Sequence, residues 1–147
     1  MKLPLWQPSE ERKKKANITR FITLVNGRYG TKIASYDELH EWSIHNLADF
    51  WALIWDFCEA KASKPYDSVI TLAQRMMDIK WFQGAHLNFA QNLLRYRDNR
   101  TALIFKSEAR KAARMTYAEL YEQVARLAKP LREWGVKPSD RVGRIHA

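Results

Sequence analysis

The sequence predicts an α/β chain in two unequal parts. A mainly helical region covers residues 1–100, and residues 101–147 form the first strands and helix of an incomplete α/β domain. Three observations predict this. Apolar residues recur at helical spacing through the first part, most clearly in the stripe Leu47, Phe50, Trp51, Ile54, Trp55 and Cys58. The run Thr101-Ala102-Leu103-Ile104-Phe105 is short, apolar and β-prone, as a buried strand is. A capping-box pattern then opens an amphipathic helix at Thr116, and Arg141-Val142 starts a further strand just as the sequence ends.

Ser9 ahead of Glu10 and Glu11 marks a helix start, because a short hydroxyl caps free N–H groups and acids suit the positive end of the dipole. Ile18, Phe21, Ile22 and Val25 continue at helical spacing, and Asn26-Gly27 supplies a stop. Ser35-Tyr36-Asp37-Glu38 is a second capping-box pattern, opening a short helix through Trp42. Asn46 is placed as N-cap of the Leu47–Cys58 stripe, a core face in which Cys58 acts as a small buried hydrophobe, and Lys64-Pro65 ends the segment. Trp6, Phe21, Trp42 and Trp81 are its candidate packing partners.

Tyr66–Thr71 reads as a short strand and Leu87–Tyr96 as a short helix with Ala90, Leu93 and Leu94 inward. After strand Thr101–Phe105 a polar link turns into a second strand around Ala113–Met115. The helix from Thr116 buries Leu120, Val124, Leu127, Ala128 and Leu131. Pro130 kinks it or ends it early, and Gly135 fits the position just past its end.

An apolar share of 46% over 147 residues describes a globular chain rather than a disordered one. No apolar run approaches the ~20 residues needed to span a bilayer, and MKLPLWQPSEERKKK lacks the apolar core of a secretory signal. One cysteine excludes an internal disulfide framework and fits a reducing, cytoplasmic setting. The formal charge of +9 gathers at Arg12–Lys15 and between Arg95 and Arg114. Without a helix-turn-helix, Gly-rich or zinc-binding context this reads as solvated surface; the alternative is a small basic module binding nucleic acid or a protein partner.

Catalytic patterns do not assemble. Five glycines, none spaced as GxGxxG or GxxxxGK, form no phosphate cradle of either common kind. His40 and His45 in HEWSIH stand five apart, one residue beyond the spacing that puts two imidazoles on one helical face for zinc. His86 and His146 have no carboxylate or cysteine partner that the sequence can place, and Cys58 has no adjacent base. The catalytic, cofactor-binding and metal-binding sets are therefore all predicted empty.

Six stretches carry a resemblance: PLWQPSEERKKKANITRF (Pro4–Phe21), SYDELHEWSIHNLADFWALIWDF (Ser35–Phe57), KPYDSVI (Lys64–Ile70), WFQGAHLNFAQNLLRYRDN (Trp81–Asn99), MTYAELYEQVARLA (Met115–Ala128) and GVKPSDRV (Gly135–Val142). In order and spacing they resemble the start of the acetyl-CoA and acetoacetyl-CoA synthetases, in the adenylate-forming superfamily. The W-F-x-G-x-x-L-N-x-A-x-N-L-L-R and L-W-x-P-S-x-E-R patterns lean toward the acetoacetyl-CoA branch.

The resemblance implies a helical N-terminal extension followed by the first strands and helix of an adenylate-forming large domain. In that family a carboxylic acid, here acetoacetate, is activated with MgATP to an acyl-adenylate and then passed to CoA. The phosphate loop, ribose-binding Asp and catalytic Lys of the family lie further along than Ala147, so no functional residue is carried over. The fragment alone is expected to be inactive and without its own cofactor. Two departures stand out. Pro130 falls where relatives continue a helix, and Gly143-Arg144-Ile145-His146-Ala147 replaces the usual apolar strand. That tail predicts a truncated sheet with an exposed edge, open to self-association.

Overall fold

The computed structural model describes residues 6–109, 111–137 and 139–143. These divide into two units, the first ending at Leu87 and the second beginning at Asn88.

In the first unit Ser9 caps helix α1 (Glu10–Lys14), its hydroxyl accepting from Arg12 N–H at 3.3 Å. The helix does not run on as one element. It ends at Lys15, and α2 (Asn17–Tyr29) begins anew after extended Ala16. Asn26-Gly27 is not the stop either. The helix continues to Tyr29 and ends at Gly30, which takes the left-handed conformation (φ 65°) that glycine adopts without a Cβ penalty. Asn26 turns its side chain outward from the helix to hold the following loop. Its Oδ1 accepts from Thr31 Oγ1 (2.7 Å) and Ile33 N (2.9 Å), and its Nδ2 donates to Ile33 O (2.8 Å).

Ser35 caps α3 (Tyr36–His45) by accepting from Glu38 N, but Glu38 reaches back to Ala34 N rather than to Ser35. α3 extends a turn beyond Trp42, and α4 (Leu47–Phe57) follows after Asn46 alone. Asn46 does not cap α4 with its side chain. Its Nδ2 donates to Trp42 O at 2.9 Å, closing the helix before it.

The core is Phe21, Val25, Ile33, Leu39 and Leu53, with Trp42, Phe50, Ile54 and Phe57 packed half-buried around it. Phe21 meets Phe50 and Phe57 edge-on at 5.7 and 5.2 Å. The predicted stripe is corrected here. Leu53, outside it, is the most buried residue of α4, whereas Leu47, Trp51 and Cys58 are exposed. LADFWALIWDF is apolar almost all round, so its own periodicity does not choose a face; α2 and α3 do. Trp6, 66% exposed, takes no part in the core and lies under Arg12.

α4 ends well before Lys64-Pro65. Glu59 takes φ 51°, and Ala60 N donates back to Trp55 O at 3.1 Å. Four short strands follow where the sequence indicated one. β1 (Ala62–Lys64) pairs antiparallel with β4 (His86–Leu87), and β2 (Ser68–Thr71) with β3 (Lys80–Gln83).

In the second unit α5 (Phe89–Leu93) is shorter than Leu87–Tyr96; Ala90 and Leu93 are exposed and Leu94 half-buried. β5 (Thr101–Phe105) and β6 (Ala113–Thr116) form an antiparallel ribbon, Leu103 opposite Met115 and Phe105 opposite Ala113. β5 is not the buried strand expected, since Leu103, Ile104 and Phe105 are all exposed. The capping box at Thr116 is complete and opens α6 (Tyr117–Glu133). On α6, Leu120, Ala128 and Leu131 are half-buried and Val124 and Leu127 exposed. Pro130 does not shorten it. The proline lies in the last turn, where it removes a single helical N–H, and the helix continues to Glu133. Gly135 (φ 78°) closes it, with Gly135 N bonded to Arg132 O and Val136 N to Leu131 O. Arg141–Gly143 are irregular rather than a strand start, and the residues beyond lie outside the described ones.

Candidate functional site

The K-P-Y-D-S-V-I and W-F-Q-G stretches meet in the β2–β3 hairpin. Ser68 faces Gln83 and Ile70 faces Trp81. Asp67 N donates to Gln83 O at 2.7 Å, and the Gln83 Oε1 accepts from Thr71 Oγ1 and Ser68 Oγ. Gly84 has φ 82°, and a Cβ there would overlap the Asp67 carboxylate, which itself pairs with Lys64 Nζ at 3.2 Å. Trp55, Tyr66 and Phe82 form a triangle with centroids 4.9–5.4 Å apart, anchoring the hairpin on α4. The motif's glycine is thus a close-approach residue and its aromatics are packing groups.

The L-N-x-A-x-N-L-L-R stretch is likewise architectural. Asn88 Oδ1 accepts from Gln91 N at 2.9 Å and caps α5. Beyond it an arginine–tyrosine stack surrounds the start of α6. Arg100 lies over Tyr96 (4.3 Å), Arg97 over Tyr121 (3.8 Å), and Tyr96 meets Tyr117 edge-on at 5.8 Å. Carbonyls of Arg100 and Asp98 accept from Tyr117 and Ala118 N–H, so this loop satisfies the helix's opening turn. Hydrogen bonds from the Arg100 side chain and backbone hold the Asp98 carboxyl below its ordinary range, and the same contact raises Arg100. Glu119 is lowered in turn by the Thr116 backbone N–H and then its hydroxyl.

An apolar groove of about 430 Å³ lies among α2, α3 and α4, lined by Phe21, Leu39, Phe50 and Ile54 with His40 and Cys58 beside them. His40 and Cys58, unconnected in the sequence, are thereby brought to one depression. His40 stacks on Tyr36, while His45 bonds back to Glu41 O within its own helix. His86 lies exposed in β4, and His146 is outside the described residues. Among the described residues no three His, Cys, Asp or Glu side chains gather as a metal site, and no helix is long and apolar enough to cross a membrane. Of the basic stretches, Lys13 and Lys15 pair with Glu10 and Glu11, and Arg100 with Asp98.

Helical bundle, hairpin and capped ribbon–helix together match two family descriptions. Residues 36–93 match "Acetyl-coenzyme A synthetase N-terminus" and residues 89–145 match "AMP-binding enzyme". The chain is thus similar to the N-terminal part of AMP-binding enzymes of the acetyl-CoA synthetase type.

Within that class its relatives include acetoacetyl-CoA synthetases. The one from Danio rerio is 39% identical over 94% of this chain and 21% of its own length. The solved acetoacetyl-CoA synthetase from Streptomyces lividans has a TM-score of 0.81 at 38% identity, over 96% of this chain and 22% of its own. A malonamoyl-CoA synthetase of Penicillium aethiopicum is 37% identical over 94% of this chain and 20% of its own. The chain thus spans about a fifth of the length of the relatives it matches. The family signal missing from periodicity alone was Gly84, whose W-F-x-G context marks a backbone approach that only the fold displays.

Proposed function

We propose that this chain is the N-terminal part of a cytoplasmic acetoacetate–CoA ligase and holds architecture rather than catalytic groups. The reaction is activation of acetoacetate with MgATP, releasing pyrophosphate, followed by attack of the CoA thiol on the acyl-adenylate with loss of AMP. The observation that carries this reading is 39% identity to an acetoacetyl-CoA synthetase along 94% of the chain, on a fold agreeing at a TM-score of 0.81. Stabilising charge at the reacting phosphorus needs converging amides and cations, and the sequence holds no Gly-rich loop to provide them. Within the stretches that carry the resemblance, Gly84, Asn88 and the Thr116–Glu119 pair serve turns and caps.

The test is pyrophosphate release with ATP, magnesium, acetoacetate and CoA. The chain alone is expected to give no release above background. Joined to the remaining four-fifths of such an enzyme it is expected to give release that depends on acetoacetate in preference to malonamate. Turnover by the chain alone overturns the architectural role, and preference for another acid overturns the substrate.

A further inference from the structure

The ligase reading leaves the groove among α2, α3 and α4 unused. At about 430 Å³ it falls within the ~300–1,000 Å³ range of small-molecule sites. Its apolar lining is Ile18, Phe21, Leu39, Phe50, Ile54 and Phe57, and no Asp, Glu, Lys or Arg lines it. Phe21 and Leu39 belong to the core, so the depression reaches down to it, whereas Ile18 stands 43% exposed. Charge enters from one side. The Arg20 Cζ lies 5.6 Å over the Phe57 ring, and its Nη1 donates to Asn17 Oδ1 at 3.3 Å. Asn17 and Phe57 both line the groove, so the guanidinium sits beside it. These two are the partners of Arg20 among the described residues, and neither is a carboxylate. A guanidinium presents its N–H donors as a planar fork. With one donor used on Asn17, the fork keeps the shape that a carboxylate accepts. The polar side chains that α3 contributes are engaged with one another. Ser43 Oγ donates to His40 O at 2.7 Å, and His40 stacks on Tyr36.

We infer that this groove binds a medium-length aliphatic monocarboxylate, its chain against the apolar lining and its carboxylate on Arg20. An apolar trough with one cation beside it, lacking a carboxylate partner, complements a ligand with one negative charge at the end of an apolar chain. A dianionic head group would leave one charge unbalanced beside aromatic rings, and a cationic one would face Arg20. Acetoacetate has too little apolar surface to use this lining, so the site stands apart from the reaction proposed above.

The experiment titrates decanoate, below micelle formation, into the 147-residue chain by calorimetry, with methyl NMR to place it. Saturable binding at a single site is expected, with shifts at Ile18, Leu39 and Ile54. Octanoate is expected to bind about tenfold more weakly, because its chain buries fewer methylenes. Octanol, which lacks the charge, is expected to bind about tenfold more weakly than octanoate. Decyltrimethylammonium and acetoacetate are expected to show no saturable binding. Arg20→Gln is expected to weaken decanoate about tenfold and leave octanol unchanged, a split that loss of fold would not produce. Arg126→Gln, the same change of charge on α6, is expected to leave both unchanged. The proposal is overturned if decanoate does not bind, if the shifts fall outside the groove, or if octanol matches octanoate. It is also overturned if Arg20→Gln has no effect, or if acetoacetate displaces decanoate, which would make the groove part of the substrate's path. A dimer that Ile18→Glu dissociates, with no decanoate binding, assigns the groove to a second copy and overturns it too.

Discussion

Leu53 and Ile104 are both large aliphatic residues in regular structure, yet one is 1% exposed and the other 60%. The contrast extends to the units that hold them. Up to Leu87, three helices joined by short links bring Phe21, Val25, Leu39 and Leu53 together within a stretch of about three dozen positions. Closing such short loops costs little entropy, and fully burying each large side chain returns roughly 1.5–3 kcal/mol. From Asn88 on, a two-stranded ribbon and one long helix are locally well formed but have nothing to enclose. A ribbon of two strands is marginal by itself. Well-made local structure is thus no measure of a completed core.

Four tests sharpen or break that contrast. Leu53→Ala is expected to cost about 2–5 kcal/mol by urea unfolding followed through tryptophan fluorescence, since the cavity forms at a closed site. Leu127→Ala, at a site 65% exposed, is expected to stay within about 0.5 kcal/mol. Equal effects would mean that the second unit has a core after all.

Asn26→Ala is next, at about 1–3 kcal/mol, because it removes three hydrogen bonds and strands the part-buried Ile33 amide. A change below 0.5 kcal/mol (about a measurement error) would show that water replaces the side chain there.

Gly84→Ala places a Cβ at φ 82° against the Asp67 carboxylate. The carboxylate can swing aside, so the residual cost is backbone strain of about 1–2 kcal/mol. Asp67→Ala in the same background removes the overlap but not the strain, and full rescue by it would refute the backbone explanation.

The smallest effect is at Glu119. Its carboxyl is depressed by Thr116, so the stabilisation is complete at neutral pH, above the ordinary glutamate range, and is lost as pH falls through its lowered value. Protection of the Thr116 amide, relative to an unprotected amide at the same pH, is expected to fall through that acid window in this chain. In Glu119→Gln, which cannot titrate, the fall is expected to vanish; its persistence would place the pH response elsewhere.

Local chemistry was legible wherever a residue acts on its near neighbours. Ser9, Ser35 and Thr116 cap helices, Gly135 closes α6, and strands β5 and β6 lie where a short apolar run and the polar link after it indicated. The close approach at Gly84 needed the fold, because it is made to Asp67, distant in sequence. His40 and Cys58 sharing a groove was equally unreadable from spacing.

By itself, then, the sequence determined where α1, α3 and α6 start, where α6 stops, and which family the order of its motifs resembles. Each depends on interactions spanning a few residues or on residue identity alone. Tertiary structure decided which face of α4 is buried, that Asn26 clamps a loop instead of ending a helix, that Asn46 serves α3, and that β1, β3 and β4 exist. An all-round apolar helix offers several faces of nearly equal hydrophobicity, and a two- to four-residue strand carries too little pattern to declare itself. In both cases the choice is made by the partner that arrives, because burial and ladder hydrogen bonds are properties of the pair.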